Sequence, residues 1–193
     1  ATITDCRRTA SRSPPSMRVA MIGSVPCAAH AKQTIPTGFW AVPPVGPDFA
    51  KIAVKTTDLG KNTYMLEGAG GNVTVAVGTD GIIMVDGQFA PMHDKLKAAI
   101  EAQSKLPIKY LINTHYHGDH TGGNEGFTRI GVMVVAHPNV KKRLGDGFTN
   151  GLTGVKTPPR PAEALPKLVY SDAMAISVKG RIAQLRHPVA AHT

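Results

Sequence analysis

The sequence contains few of the residues that build a cross-linked scaffold or a thiol-based site. Only two cysteines, Cys6 and Cys27, occur among its 193 residues, and both precede the region whose pattern predicts a fold. Two cysteines so placed provide neither a disulfide framework nor a thiolate metal site. Any metal that this chain binds would therefore be held through His and Asp side chains.

Aromatic residues and long apolar runs are also scarce. Phe, Trp and Tyr make up 5% of the chain, so the core should consist of Val, Ile, Leu, Ala and Met. No apolar run approaches the roughly 20 residues that a membrane-spanning helix needs. The hydrophobic fraction of 42% still suffices for the core of one domain, and 20 glycines with 15 prolines favour many turns over a helical bundle.

Acidic residues are outnumbered by basic ones, which gives a formal net charge of +9. A basic surface can bind nucleic acid, and nucleic-acid processing is one alternative function. However, Arg7, Arg8, Arg12 and Arg18 lie in a leader that we do not expect to join the fold. The basic trio at 141–143 is typical of a solvated helix face. We therefore expect a small-molecule substrate rather than nucleic acid or a membrane as partner.

Residues 1–31 have the character of a leader. Their first half is polar and basic, whereas from Met17 onwards a basic residue precedes the apolar run VAMIGSV and an A-x-A-like site that ends at Ala31. This order is typical of a secretory signal peptide, and a disordered leader with an apolar patch is the alternative. The signal-peptide interpretation predicts a periplasmic or secreted protein.

A proline-rich arm at 32–49 follows the leader, and its prolines predict an extended rather than a helical chain. Phe39 and Trp40 are suited to anchor this arm on the domain or on a partner subunit. The predicted organisation is thus a leader, an arm and one folded domain over 50–193.

Short apolar segments separated by glycine-rich turns indicate a β-meander in the first half of this domain. A helix is predicted over 90–104, with Pro91 in its first turn and Leu96 and Ile100 on one apolar stripe. The strands predicted around it are 51–55, 62–67, 72–77, 81–85 and 108–113. The strand–helix–strand order predicts a layered α/β fold.

The second half repeats this alternation with weaker signals. A strand over 131–136 and a helix from His137 through Leu144 precede a loop over 145–160 that is rich in Gly, Thr and Pro. A turn over 162–166 and strands over 168–171, 174–178 and 181–186 complete the pattern.

The residues able to carry chemistry concentrate in the stretch THYHGDHTGGN at 114–124, directly after a predicted strand. His115 and His117 are two residues apart, so their imidazoles project from the same side of an extended segment. A glycine then lets the chain turn and brings Asp119 and His120 towards the same place. Imidazole and carboxylate are zinc ligands, and a strand end presents them rigidly. A histidine-rich surface loop would not explain the interleaved Asp and Gly.

The pattern His-x-His-x-Asp-His followed by Thr-Gly-Gly-Asn resembles the signature of the metallo-β-lactamase superfamily of hydrolases. The resemblance is strongest over residues 50–193. It implies an α/β fold, the metallo-β-lactamase-like αββα sandwich, and one or two zinc ions as cofactors.

The resemblance also implies roles for individual residues. His115, His117 and His192 would hold one zinc ion, and Asp119 and His120 would hold a second. Asp119 would also orient the attacking water, which makes it the catalytic residue.

The same resemblance indicates a third histidine ligand and a supporting aspartate. His192 is preferred over His187 as the third histidine, because a His-Thr pair after a strand is the superfamily's pattern and Pro188 follows His187. Asp86, at the end of a predicted strand, would support the metal site from behind the ligands. A simple turn aspartate is the alternative for Asp86.

Other features that the resemblance implies are not found in this sequence. A complete member continues past its third histidine with a bridging Asp, a final His and a second β-layer with a helix. We therefore expect about the first two-thirds of the fold, and a truncated gene product, one fragment of a nicked protein and a chain completed by a partner are the alternatives. Because open sheet edges expose unpaired backbone groups, we expect a homo-oligomer, strand exchange or a complementing chain.

The leading functional interpretation is a zinc-dependent hydrolase that uses a metal-activated water to open a cyclic amide such as a β-lactam. Lactone, thioester and aryl-ester hydrolysis are the enzymatic alternatives, which the motif does not separate from β-lactam hydrolysis. An inactive metal-binding fragment is the non-enzymatic alternative.

Overall fold

The structure is a computed structural model, and it describes residues 46–188. The predicted leader, most of the proline-rich arm, both cysteines and His192 lie outside these residues. The expectations for them stay predictions. In the part of the chain that is described, no helix is long and apolar enough to cross a membrane.

Strands and helices alternate from residue 55 onwards. The strands are β1 (Lys55–Gly60), β2 (Thr63–Glu67), β3 (Val73–Val77), β4 (Ile82–Val85), β5 (Ile108–Ile112), β6 (Met133–Ala136), β7 (Phe148–Thr149), β8 (Lys156–Thr157), β9 (Leu168–Val169), β10 (Ala173–Val178) and β11 (Arg181–Arg186). The helices are α1 (His93–Gln103), α2 (Gly118–Thr121), α3 (Asn124–Arg129) and α4 (Pro138–Asp146), with short 3-10 turns at Ala90–Met92 and Ala162–Ala164.

Seven strands form one mixed sheet in the order β1-β2-β3-β4-β5-β6-β9. The first four strands are an antiparallel meander, and β4, β5, β6 and β9 run parallel. Val85 pairs with Ile112, and Ile112 pairs with Val135. The carboxyl ends of β4, β5 and β6 therefore meet at one edge, where open α/β sheets usually place their functional groups.

The sheet is covered on both faces because its strands alternate apolar side chains between two clusters. On one face, sheet residues such as Leu111 and Val134 pack against Leu96 and Ile100 of α1 and Phe127 of α3. On the other face, a second cluster joins the sheet to the β10–β11 hairpin. It contains Ile83, Ile112, Val135, Ile176 and Val178. The predicted layered α/β class is thereby confirmed.

Most predicted elements lie within one to three residues of their observed bounds, but two regions differ. The strand predicted over 51–55 begins only at Lys55, and residues 51–54 precede it as turn and coil. The loop predicted over 145–160 contains the small β7–β8 hairpin, in which Phe148 pairs with Thr157. Each strand of this hairpin has only two residues, which is too short for an alternating apolar pattern to appear in the sequence.

Candidate metal centre

The motif 114–121 lies at the edge of the sheet where the parallel strands end. Asp86 follows β4 directly, and its backbone N–H donates to the carbonyl of Ile112, the last residue of β5, at 2.8 Å. The motif continues from β5 into the short helix α2. This arrangement places Asp86 beside the histidines, although about thirty residues separate them in the sequence.

The side chains of the motif lie close to one another. The ring centroids of His115 and His117 are 4.8 Å apart, and those of His115 and His120 are 4.0 Å apart. Nε2 of His120 lies 3.4 Å from Oδ2 of Asp119. Three imidazoles and one carboxylate thus share one small region of the sheet edge.

The side chain of Asp86 is 95% buried and contacts the motif. Its Oδ2 lies 2.8 Å from Nδ1 of His120 and accepts the hydroxyl of Thr114 at 2.7 Å. Its Oδ1 accepts the backbone N–H of Thr114 at 2.8 Å. Asp86 also has a φ of 62°, in the left-handed region that few residues except Gly, Asn and Asp adopt readily. A strained backbone that aims a buried carboxylate is typical of functional sites.

The contact between Asp86 and His120 decides which imidazole nitrogen is available to a ligand. A carboxylate only accepts hydrogen bonds, so Nδ1 of His120 donates its proton to Asp86, and in the neutral imidazole Nε2 carries the lone pair. This lone pair faces the Asp119 carboxylate across 3.4 Å. Two electron-pair donors at that distance are stable together only with a cation or a proton between them. The donor chemistry therefore fits a metal ion.

The described residues do not by themselves contain a complete metal-binding group. Among residues 46–188, no three His, Cys, Asp or Glu side chains meet in the arrangement of a metal site. His192, the predicted third histidine, lies outside these residues. His187 is described, and its ring stacks on that of His137 at 3.7 Å.

Two glycines that the sequence marks only as turn residues form a close contact with the motif. They lie in the β2–β3 connection, where the backbone N–H of Gly71 donates to the carbonyl of Asp119 at 3.2 Å. A Cβ on Gly71 would lie 2.1 Å from Cε1 of His120, and one on Gly70 would lie 2.8 Å from the Asp119 carbonyl. Only glycine lets this turn approach so closely. The contact is long-range, so no local signal in the sequence indicates it.

Gln88 is a second residue that sequence reasoning missed. It is fully buried with a φ of 51°, and its Oε1 accepts the backbone N–H of Ala69 at 3.2 Å. Its carbonyl accepts from Gly123, and the neighbouring Gly87 donates to the carbonyl of His120 at 2.7 Å. The segment after β4 therefore fixes both the glycine turn and α2. The clustering of Asp, Gly and Gln after a buried strand is the only sequence signal for it.

A buried amide pair anchors the other side of the motif. Asn113 and Asn124 exchange side-chain hydrogen bonds of 3.0 and 2.8 Å, and Asn124 also donates to the carbonyl of Ala164 at 3.0 Å. Both residues are at most 1% exposed. Because a buried amide is costly without partners, this pair fixes the spacing between the end of β5 and the start of α3.

Comparison with solved structures shows the fold of this arrangement. The subclass B3 metallo-beta-lactamase BJP-1 of Bradyrhizobium japonicum aligns with a TM-score of 0.55 and 21% identity, over 70% of this chain and 52% of that one. The class B3 di-zinc metallo-beta-lactamase LRA-12 from an Alaskan soil metagenome aligns with a TM-score of 0.60 and 18% identity, over 72% and 54%. The chain thus spans about half the length of these structures.

A sequence relative and a family model complete the comparison. The atrochrysone carboxyl ACP thioesterase of Aspergillus terreus is 32% identical over 78 residues, which cover 40% of this chain and 22% of that protein. The model of the metallo-beta-lactamase superfamily matches residues 66–180, more than half of the chain, and includes Asp86 and the whole histidine motif. The chain belongs to the metallo-beta-lactamase superfamily.

Proposed function

We propose that this chain carries the site of a zinc-dependent hydrolase that opens a cyclic amide such as a β-lactam. The observation that carries the proposal is the distance of 3.4 Å between Nε2 of His120 and Oδ2 of Asp119, with His115 beside them. Such a donor set suits zinc, which prefers imidazole and carboxylate ligands when no thiolate is present. The likeness of the fold to subclass B3 metallo-beta-lactamases supports the β-lactam as substrate.

Each residue of the site has a distinct part in this proposal. His115, His117 and His192 would hold one zinc ion, and Asp119 and His120 would hold the second. When bound by three neutral imidazoles, zinc lowers the pKa of a coordinated water to about 7.

The protein contributes orientation and proton handling. Asp86 keeps the proton of His120 on Nδ1 and so directs Nε2 into the site. Asp119, whose side chain is 37% exposed, can accept a hydrogen bond from the attacking water and aim it at the substrate carbonyl.

The test is hydrolysis of a chromogenic cephalosporin by the parent chain and by His117→Ala. We expect turnover in the parent that a chelator abolishes and that zinc restores. His117→Ala should lose at least about 100-fold in kcat/KM, as removal of a metal ligand disrupts the reactive water. His137→Ala is the matched control, because its imidazole accepts the backbone N–H of Asn139 at the start of α4 and is not a candidate ligand. Normal turnover by metal-free protein would refute the proposal.

Thioester hydrolysis is the second candidate, and one observation favours it. The relative from Aspergillus terreus that is 32% identical is named as a thioesterase. Lactones and aryl esters need the same attack on a carbonyl. Rates measured side by side on a cephalosporin, an acyl thioester, an acyl-homoserine lactone and a nitrophenyl ester would rank these substrates. One zinc ion per chain without turnover on any of them would instead support an inactive metal-binding fragment.

We also propose a periplasmic or secreted location and a partner chain. The location rests on the signal-like pattern in residues 17–31. The partner, a second copy or a complementing chain, rests on the two edge strands of the seven-stranded sheet, β1 and β9, whose outer backbone groups can pair with another chain. Cell fractionation tests the location, and light scattering with intact mass tests the partner.

A further inference from the structure

Two adjoining cavities open beside the histidine motif. The smaller, of about 200 Å³, is lined by His117 and Gly118 of the motif and reaches Arg160. The larger, of about 380 Å³, lies along α4. Tyr116, Arg143 and Gly147 line both cavities, so the two form one continuous depression that begins at a proposed zinc ligand.

Two arginines supply the charge of this depression. The guanidinium carbon of Arg143 lies 5.0 Å from the centre of the Tyr116 ring. Nη2 of Arg160 lies 3.7 Å from the position that a Cβ on Gly118 would occupy, at the first residue of α2. The backbone N–H of Arg160 donates to the carbonyl of Leu144 at 2.8 Å, which ties its loop to α4.

Neither guanidinium has an acidic partner among the described residues. Other surface cations of this chain do have one: Arg129 pairs with Glu125, and Lys142 pairs with Asp146. The two cavities together are lined by three cationic side chains, Lys142, Arg143 and Arg160, and by one acidic side chain, Asp146, which Lys142 already engages. The unengaged positive charge therefore faces the depression next to the motif.

Apolar side chains form another part of the lining. Tyr116 and Phe148 pack edge to face with their ring centres 5.7 Å apart, and Leu144 and Pro158 extend this apolar part. A ligand that fills the space would therefore contact rings and aliphatic groups with its body and guanidinium groups with its charged end.

We propose that this depression is a subsite for an anionic group, a carboxylate or a phosphate, attached to an apolar part of the substrate. This inference rests on the proposed hydrolase function only in treating the ligand as a substrate. Binding of the anion itself does not depend on that function. Guanidinium groups bind both anions through paired N–H donors, and stacking on Tyr116 leaves the donors at the edge of Arg143 available. The subsite would hold the charged end while the scissile carbonyl lies at the motif.

The experiment measures binding of three small probes to the full chain by calorimetry or NMR titration. Benzoate and phenyl phosphate carry the two anions on an apolar ring, and benzamide is their neutral match. The titrations are made on the protein as purified and again with a chelator present. Binding that persists with the chelator belongs to the guanidinium groups and not to a metal ion. This readout needs no turnover, so it is independent of whether the hydrolase proposal holds.

We expect both anions to bind at least about 10-fold more tightly than benzamide, since a charge-assisted pair is roughly twice as strong as a neutral one. Arg160→Gln and Arg143→Gln should each weaken anion binding by about 5- to 10-fold and leave benzamide unchanged. Lys141→Gln is the control, because it removes one charge from an exposed position on the same helix outside the cavities. If loss of the Arg143–Tyr116 contact perturbs α4, Arg160→Gln still tests the proposal.

The relative affinity of the two anions identifies the source of the charge. Tighter binding of phenyl phosphate indicates a phosphate-bearing carrier, and tighter binding of benzoate indicates a carboxylic acid; either result supports the subsite. Equal binding of benzamide and the anions would overturn it. So would anion binding that survives both arginine substitutions or disappears with the chelator.

Discussion

At the scale of single residues, Asp86 links the end of β4 to the histidine motif. Its carboxylate contacts His120 and both donors of Thr114 from a left-handed backbone conformation. Asparagine adopts this conformation almost as readily as aspartate. An Asp-to-Asn change at this position therefore removes the charge without straining the backbone.

We expect Asp86→Asn to lower the affinity for zinc by about 10- to 100-fold, because the imidazole of His120 loses the carboxylate that fixes its tautomer. Competition with a chromophoric zinc chelator measures the affinity. Asp94→Asn is the control, since the Asp94 side chain is 97% exposed. Equal zinc affinity of Asp86→Asn and the parent would show that Asp86 is only a turn residue.

A second prediction concerns Gly71, whose added Cβ would lie 2.1 Å from the His120 ring. Because such a contact is far shorter than van der Waals distance, Gly71→Ala must displace either the turn or the imidazole. We expect weaker zinc binding and a loss of hydrolysis of at least about 10-fold, since small displacements of catalytic groups are costly. Gly151→Ala has nothing within 4 Å of the added Cβ and should bind zinc like the parent. A fully active Gly71→Ala chain would contradict the contact.

At the scale of elements, most strands and helices follow from local pattern, whereas the contacts around the motif do not. The alternation in β3 and the apolar stripe of α1 are visible in sequence because each depends on neighbouring residues. Two contacts join separate elements: the one between the glycine turn and His120, and the Asn113–Asn124 pair. Because they are not local, no periodic pattern in the sequence predicts them. The sequence thus predicts where the motif lies, but not what holds it in place.

Asp80 makes a similar long-range contact, which joins the β10–β11 hairpin to the sheet. Its Oδ2 accepts from Nζ of Lys109 at 2.8 Å, and its Oδ1 accepts the backbone N–H of Lys179 in the hairpin turn at 2.7 Å. The hydrogen bond from Lys109, followed by that from Lys179, lowers the pKa of Asp80 below its usual value of 3.8. The ionised carboxylate therefore fastens the hairpin to the sheet.

The sign of the pH dependence follows from this lowered pKa. The contribution of Asp80 to stability should be complete above the pKa of the unfolded chain, near pH 4, and should be lost as pH falls through the lower folded value. We expect Asp80→Asn to have a lower Tm than the parent at neutral pH, with a difference that shrinks below about pH 4. Lys109→Gln should behave similarly, and the exposed Lys167→Gln should not. A Tm difference independent of pH would exclude the ionised form as the cause.

At the scale of the whole molecule, the orientation of the proposed zinc ligands in the motif depends on residues that lie far from it in the sequence. His120 is aimed by Asp86, which lies more than thirty residues earlier, and both are held by the ends of parallel strands. The unfolded chain keeps the residues of the motif near one another, but it does not hold Asp86 against His120. A metal that binds this edge should therefore stabilise the fold as a whole.

Zinc should consequently raise the Tm in a way that depends on its concentration. At 100 times Kd the stabilisation is about 2.7 kcal/mol, which corresponds to roughly 5–10 °C for a chain of this size. His117→Ala should lose most of this shift, and Mg²⁺ should not reproduce it, because Mg²⁺ prefers oxygen ligands in octahedral geometry. Differential scanning calorimetry with stepwise zinc addition measures both effects. Zinc that raises the Tm of the parent and of His117→Ala equally would bind elsewhere on the fold, and the motif would then not be its site.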